Sequence, residues 1–343
     1  PTAGPPTRLS PLGSMMQGET SRIFALRPRL SARVRARRAL LALSALVLAA
    51  TLIGRAAVRG PTTAPAAAPS LTPTGTPASS ADSTFAAGAC RTLAPTTRGP
   101  GQSVFLDAGH GGPDPGATGT TTAGKRVNES QLTLPVVLAA AASLRADGYR
   151  VTLSRTVDTS VARLGPGDVT QSGLLSLAGE HADTQARVTC ANRSGAAALV
   201  SVHFNAFSDP TARGSLTAYD SARTFSASNR QLAQLVEGNV VAALDAAGWQ
   251  VPDRGIIDDA TLNAPALSPQ ANAYGHLLLL GPAAAGWLST PSAMPGVLVE
   301  PFFLTNPTEA TVAADPAGQQ AIAAGITRAI EQFLAVPGGS AAP

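Results

Sequence analysis

Residues 61 to 92 constrain this chain most, because they are almost wholly Pro, Ala, Thr, Ser and Gly. Such a stretch offers little large apolar surface to offset the entropy of ordering its backbone. It reads as a linker over 61–93. It separates a basic N-terminal stretch, 1–60, from one continuous run of strand-like and helix-like patterns, 94–336, followed by a short tail, 337–343. The long run is enough for one α/β domain with a single core.

Charge divides the same way. Residues 1–60 hold ten Arg against the single acid Glu19, whereas the remainder holds 15 basic and 20 acidic residues. A domain with net negative charge has no electrostatic reason to seek phosphate, so nucleic acid is not an expected partner. In the basic part, Arg33, Arg35, Arg37 and Arg38 stand directly before an apolar run over 39–54. That is the layout of an export signal, and its length lies between a cleaved signal and a membrane anchor. Arg ahead of the run keeps that end in the cytoplasm and places everything after it outside, so an extracytoplasmic location, secreted or anchored, is expected. Two cysteines, Cys90 and Cys190, lie beyond it. In an oxidising compartment they are expected to pair, and closing a loop of that size is worth on the order of 4.7 kcal/mol by the loop-entropy model. The alternative is two separate buried thiols.

Ser103 to Leu106 is β-prone and runs into Asp107 to Gly119, which holds five glycines and two prolines. A loop at the carboxyl end of a strand is where open α/β sheets place ligands. A helix over Leu132 to Leu144 follows, then a strand over Tyr149 to Leu153. Next come a helix from about Asp183 to Ser194, the apolar strand Ala198 to Val202, and a helix Asn229 to Ala247 with Ser228 as its N-cap. Leu277 to Leu280 and Val297 to Val299 read as two more strands, and Ala317 to Leu334 as a final amphipathic helix. Val157 to His181 and Asp253 to Gly275 read as long loops. The alternation predicts an α/β fold of three layers, a mixed and mostly parallel sheet of about six strands flanked by helices.

Two of the four histidines, His110 and His203, each follow a β-prone run, so both would lie at strand carboxyl ends. Catalytic zinc uses three protein ligands and an open position, and two His with one Glu is a hydrolytic set. Glu129, at the start of the helix after the glycine-rich loop, is the candidate third ligand. Glu300 ends a strand beside Pro301, Phe302 and Phe303, and apolar surroundings raise a carboxyl pKa towards the range of a general base. On residue physics alone, blander readings stand beside these. Either His could be a satisfied core residue, Glu129 a first-turn acid favoured by the helix dipole, and Glu300 a surface residue at a strand end.

Five ordered pieces bear on the choice. They are residues 104–112 (VFLDAGHGG) with Asp114, Gly116 and Ala117; Asn128-Glu129; Leu153-Ser154-Arg155-Thr156 with Asp158; Arg187 and Ala191-Asn192 ahead of 201–206 (SVHFNA); and Val299-Glu300 with Phe303-Leu304-Thr305-Asn306. Together they resemble the zinc-dependent N-acetylmuramoyl-L-alanine amidases that act on bacterial peptidoglycan. The resemblance covers about 94–336. It implies Zn2+ on His110, Glu129 and His203, Glu300 as the catalytic carboxylate, and peptidoglycan as the substrate. Phe204 and Pro301 depart from the family pattern, which usually has a small residue at the first position and Leu-Gly after the glutamate. Asn205 and Arg254 are candidate substrate-binding residues, Asp107 is expected to hold a histidine ring from behind, and His276 to pack. A monomer is expected, with room for a protein activator whose identity the sequence does not give. Two other readings remain: a zinc peptidase acting within the stem peptide, and a non-catalytic wall-binding protein of the same fold.

Overall fold

Val104, Leu106 and Ala108 alternate with Phe105, and Val297 and Val299 with Leu298, yet all are buried. Strands that bury both faces belong at the centre of a sheet covered on both sides. The computed structural model describes residues 84–262 and 268–335, and these strands lie there as expected. The expected linker, tail and apolar 39–54 segment fall wholly or largely outside the described residues. Among the described residues, no helix is long and apolar enough to cross a membrane.

The elements in chain order are β1 (Ala89–Leu93), β2 (Ser103–Ala108), β3 (Thr118–Thr120), β4 (Arg126–Asn128), α1 (Glu129–Ala146), β5 (Arg150–Arg155), α2 (Leu177–Ser194), β6 (Ala198–Val202), β7 (Ser215–Tyr219), α3 (Ser226–Ala246), β8 (Asp253–Asp258), α4 (Pro269–Tyr274), β9 (Gly296–Glu300), α5 (Pro307–Ala313) and α6 (Pro316–Ala335). Seven strands form one sheet in the order β1-β5-β2-β6-β9-β7-β8, and β3 and β4 form a separate hairpin. From β5 to β9 the strands run parallel. β1 is antiparallel to β5, and β7, paired in parallel with β8, is antiparallel to β9. One face packs against α1, α3 and α6 in a core that includes Leu106, Val200 and Val299. The other packs against α2 and the segment around Leu279, Leu280 and Trp287, with Phe105, Leu199 and Leu298 between. The three-layer α/β architecture is therefore present, with seven strands rather than about six.

The differences have local causes. β1 occupies the last residues of the stretch read as linker, so the folded domain begins before residue 94. Cys90, in β1, is joined to Cys190 of α2 by a disulfide, with Cα atoms 5.5 Å apart. α2 starts at Leu177 rather than Asp183, because Ser176 accepts a hydrogen bond from the Gly179 N–H and caps it. α3 starts at Ser226 with Phe225 at its cap and no side-chain capping bond, so Ser228 is inside the helix. Leu277 to Leu280 is a turn, not a strand, and its leucines are apolar because they cover the sheet. β7 and the edge strand β8 were hidden by polar residues. β8 lies within a stretch read as loop.

Candidate metal centre

β2 and β6 pair up to Ala108 and Val202, and β6 and β9 up to Val202 and Val299. His203 and Glu300 thus each stand one residue beyond a registered pair on neighbouring strands, and His110 lies two residues beyond β2. This is the carboxyl end of the parallel part of the sheet, where side chains of separate segments converge. Glu129 arrives from the opposite direction as the first residue of α1 and is buried.

The three ligand candidates meet. His110 Nε2 lies 3.1 Å from Glu129 Oε2, His203 Nδ1 lies 2.9 Å from Glu129 Oε1, and the two imidazole nitrogens are 3.1 Å apart. Their ligating atoms all lie within 4.8 Å of one another. His110 Nδ1 bonds Asp114 Oδ2 at 2.7 Å. With Nδ1 as donor to Asp114, Nε2 is the nitrogen that faces the Glu129 carboxylate and would offer its lone pair to a metal in place of a second proton. Acceptors crowded in this way need a cation between them, and two imidazole nitrogens with one carboxylate suit a divalent transition metal. The residues present therefore fit a metal site.

Backbone geometry sets each ligand. The Glu129 carboxylate accepts the N–H groups of Ala117 and Phe204, each at 2.8 Å. His110 takes a left-handed φ of 60°, a conformation unfavourable for a residue with a Cβ. Arg187 holds it there by donating to the His110 carbonyl at 2.7 Å. Gly116 leaves room for the ligands, since a Cβ on it would lie 2.6 Å from the His110 ring and 2.7 Å from Glu129 Oε2. Arg155, fully buried at the end of β5, gathers the carbonyls of Ala108, Gly109 and Ser130 at 2.7–3.0 Å and so ties the glycine-rich loop to the start of α1.

Electrostatics follow from this packing. Burial opposes ionisation of Glu129, but His110 and His203 outweigh it and hold its carboxyl well below the usual range. Burial likewise works against the charged form of His110, yet Glu129 and Asp114 raise its pKa to about 10. Glu300 is compensated less. Burial, and then the charge of Glu129, push it up to about 8, against smaller opposing contributions from the charge of His110 and then the Asn205 hydrogen bond. One carboxylate is fixed as an anion, and its neighbour can exchange a proton near neutrality.

A family model described as N-acetylmuramoyl-L-alanine amidase matches residues 104–332. The chain belongs to this amidase family. The germination-specific N-acetylmuramoyl-L-alanine amidase of Bacillus subtilis is 26% identical over 238 residues, covering 69% of this chain and 82% of that relative. The amidase AmiA of Salmonella typhimurium is 28% identical over 251 residues, covering 67% and 75%. The CwlD amidase of Clostridioides difficile, solved in complex with the GerS lipoprotein, has the same fold, with a TM-score of 0.51 at 23% identity over 69% of this chain and 100% of that one. The protein is accordingly an N-acetylmuramoyl-L-alanine amidase acting on peptidoglycan.

In this amidase a cavity of about 530 Å³ reaches His110 and His203 from the α2 side, walled by Tyr274, His276, Leu277 and Trp287 among others. Asn205 is hydrogen-bonded to Glu300. Arg254 lies on β8, where it donates to the Arg213 carbonyl at 3.3 Å and stacks over Phe303. Asp107 does not hold a histidine ring, because Arg187 and Ser201 occupy its two oxygens at 2.6 Å each. Asp114 does that work for His110. It was legible only as part of the family motif, since an acid among glycines reads equally as a turn residue. Phe204 turns into the core and stacks on Phe302, so its departure from the family pattern leaves the metal side of the site untouched. His276 does not merely pack: it faces two carboxylates.

Proposed function

We propose that this amidase is a zinc enzyme in which His110, Glu129 and His203 hold the metal and Glu300 is the general base and acid. The observation that carries the reading is the placement of Glu300 beside His203, one residue past registered strand positions, next to three convergent ligand atoms. Zinc, when bound there, supplies Lewis acidity, lowering the pKa of water towards about 7 and stabilising negative charge on a carbonyl oxygen.

The chain's own residues handle the proton. Glu300 takes it from the water that attacks the lactyl carbonyl of N-acetylmuramic acid, and returns it to the L-alanine nitrogen as the C–N bond breaks. Asn205 holds the Glu300 carboxylate in position through its hydrogen bond. Glu129, anchored by two backbone N–H groups, does not exchange a proton in this scheme. The basic, apolar N-terminus and the disulfide support action outside the cytoplasm, in the periplasm or cell-wall space, with the 39–54 segment as signal or anchor. We take the working form to be a monomer.

The test uses the full chain, zinc-loaded, as wild type and Glu300→Gln, with purified peptidoglycan. New L-alanine amino termini without new reducing ends, lost in the variant, are expected. Termini at other stem residues would make it a peptidase. No release from metal-loaded wild type would favour a wall-binding protein.

A further inference from the structure

The sheet repeats its trick at the opposite end. β7 and β8 run against β9, and Tyr219 pairs with Asp258. Asp220 and Asp259 therefore each stand one residue beyond a registered pair, at the end of the sheet away from His203 and Glu300. His276, just past α4, completes a group whose ligating atoms lie within 4.8 Å of one another.

The bonding of this group is incomplete. His276 Nδ1 lies 2.8 Å from Asp220 Oδ2 and 3.1 Å from Asp259 Oδ1, but its hydrogen bond goes to Asp259. Asp220 is fully buried, and among the described residues its Oδ2 accepts no hydrogen bond, though the His276 ring lies beside it. The other acceptor positions are used, because Asp220 Oδ1 takes the Ala222 N–H at 2.7 Å and Asp259 Oδ2 the Leu277 N–H at 2.8 Å. Arg223 lies close enough to feel Asp220, yet its guanidinium is bonded to the carbonyls of Leu280, Gly281 and Ser292. Among the described residues, Arg223 thus acts on the two buried carboxylates only through space, and the side-chain donor facing them is His276.

We infer that Asp220, Asp259 and His276 form a second divalent-cation site, distinct from the centre of His110, Glu129 and His203. The donors are one imidazole nitrogen and two carboxylate oxygens, a set that zinc accepts. Calcium is disfavoured, because it takes six to eight oxygens. The cation would join the ends of β7 and β8 to the segment that follows α4. That segment carries Tyr274 and Leu277, which wall the cavity reaching His110 and His203, so the site braces one side of that cavity.

Zn2+ is the probe. The full chain is stripped with a chelator, reloaded, passed through gel filtration and assayed for metal per chain. Wild type should retain two equivalents, Asp220→Asn one, Glu129→Gln one, and Asp220→Asn with Glu129→Gln none. One equivalent in wild type that vanishes with Glu129→Gln overturns the inference, as does metal retained by the double variant, which would mark adventitious sites. The Glu129→Gln result stands even if Asp220→Asn fails to fold, since it leaves the second cluster intact. His276→Gln gives the same reading as Asp220→Asn through a half-buried residue. Loss of the amidase metal alone would show as one equivalent remaining in wild type and unaffected by Glu129→Gln, and so is told apart from loss of this site.

Discussion

Arg187 meets Asp107 at 2.6 Å, Nη1 to Oδ1, with both side chains buried. The same guanidinium bonds Asp183 at 2.8 Å and the carbonyl of His110 at 2.7 Å, so it neutralises two buried carboxylates and fixes the strained histidine. Removing one partner of a buried pair leaves an uncompensated charge, at a cost of about 3–5 kcal/mol. Arg187→Met is expected to lose that much in urea unfolding. A loss below about 1 kcal/mol would mean that the network is not what holds the loop.

Glu129 and Glu300 should separate metal content from turnover. Glu129→Gln removes a ligand and is expected to weaken zinc binding by about 10–100-fold or more. Glu300→Gln is expected to keep its metal and lose about 10²–10⁴-fold in kcat, the usual worth of a general base. Equal zinc content in the two variants, read by elemental analysis after dialysis, would remove Glu129 from the ligand set.

Glu237 carries a pH dependence remote from the chemistry. It is buried in α3, where Ser215 and Thr217 donate to Oε2 at 3.0 and 2.8 Å while Oε1 has no hydrogen-bond partner among the described residues. Burial raises its pKa from 4.5 to about 7, and the charge of Asp253 adds to this. A carboxyl raised in the folded state binds its proton more tightly there than in the unfolded chain. Its contribution is therefore intact below pH about 4.5 and is lost as pH rises towards 7, by about 3 kcal/mol. Glu237→Gln keeps an acceptor for the hydroxyls and sets an amide donor towards Asp253. It should raise the melting temperature above pH 7 and flatten the slope between the two pKa values. A variant no more stable than wild type at pH 8 would refute this account.

The apolar strands were legible because a run such as Ala198 to Val202 has one use in a covered sheet, and the residue just after it then sits at a ligand-bearing edge. His110, His203 and Glu300 could be placed that way from sequence. Strands such as β8, whose sequence is Asp253–Asp258, carry no apolar pattern because an edge strand needs none, and they were read as loop. Pairings between distant segments were also out of reach. Nothing local says that Asp107 is occupied by Arg187 of α2, or that Asp220 and Asp259 end adjacent strands and face His276. The packing of Arg254 over Phe303 likewise depends on the fold.

Asp114 gives the sharpest test of how the metal centre is held. Its two oxygens have separate duties, Oδ2 bonding His110 Nδ1 at 2.7 Å and Oδ1 accepting the Gly116 N–H at 3.0 Å. Both partners are donors, so both positions require an acceptor. Asparagine supplies only one, and its amide would oppose either the imidazole N–H or the Gly116 N–H. If it opposes the imidazole, the tautomer that leaves Nε2 free for metal is no longer favoured. If it opposes Gly116, the turn that leaves space beside Glu129 is disturbed. Either way Asp114→Asn, though nearly isosteric, should lower zinc affinity by about 10–100-fold, the usual worth of a group that orients a metal-bound histidine. Competition with a chromophoric chelator measures this directly. Unchanged affinity would show that Glu129 and the backbone position His110 without Asp114.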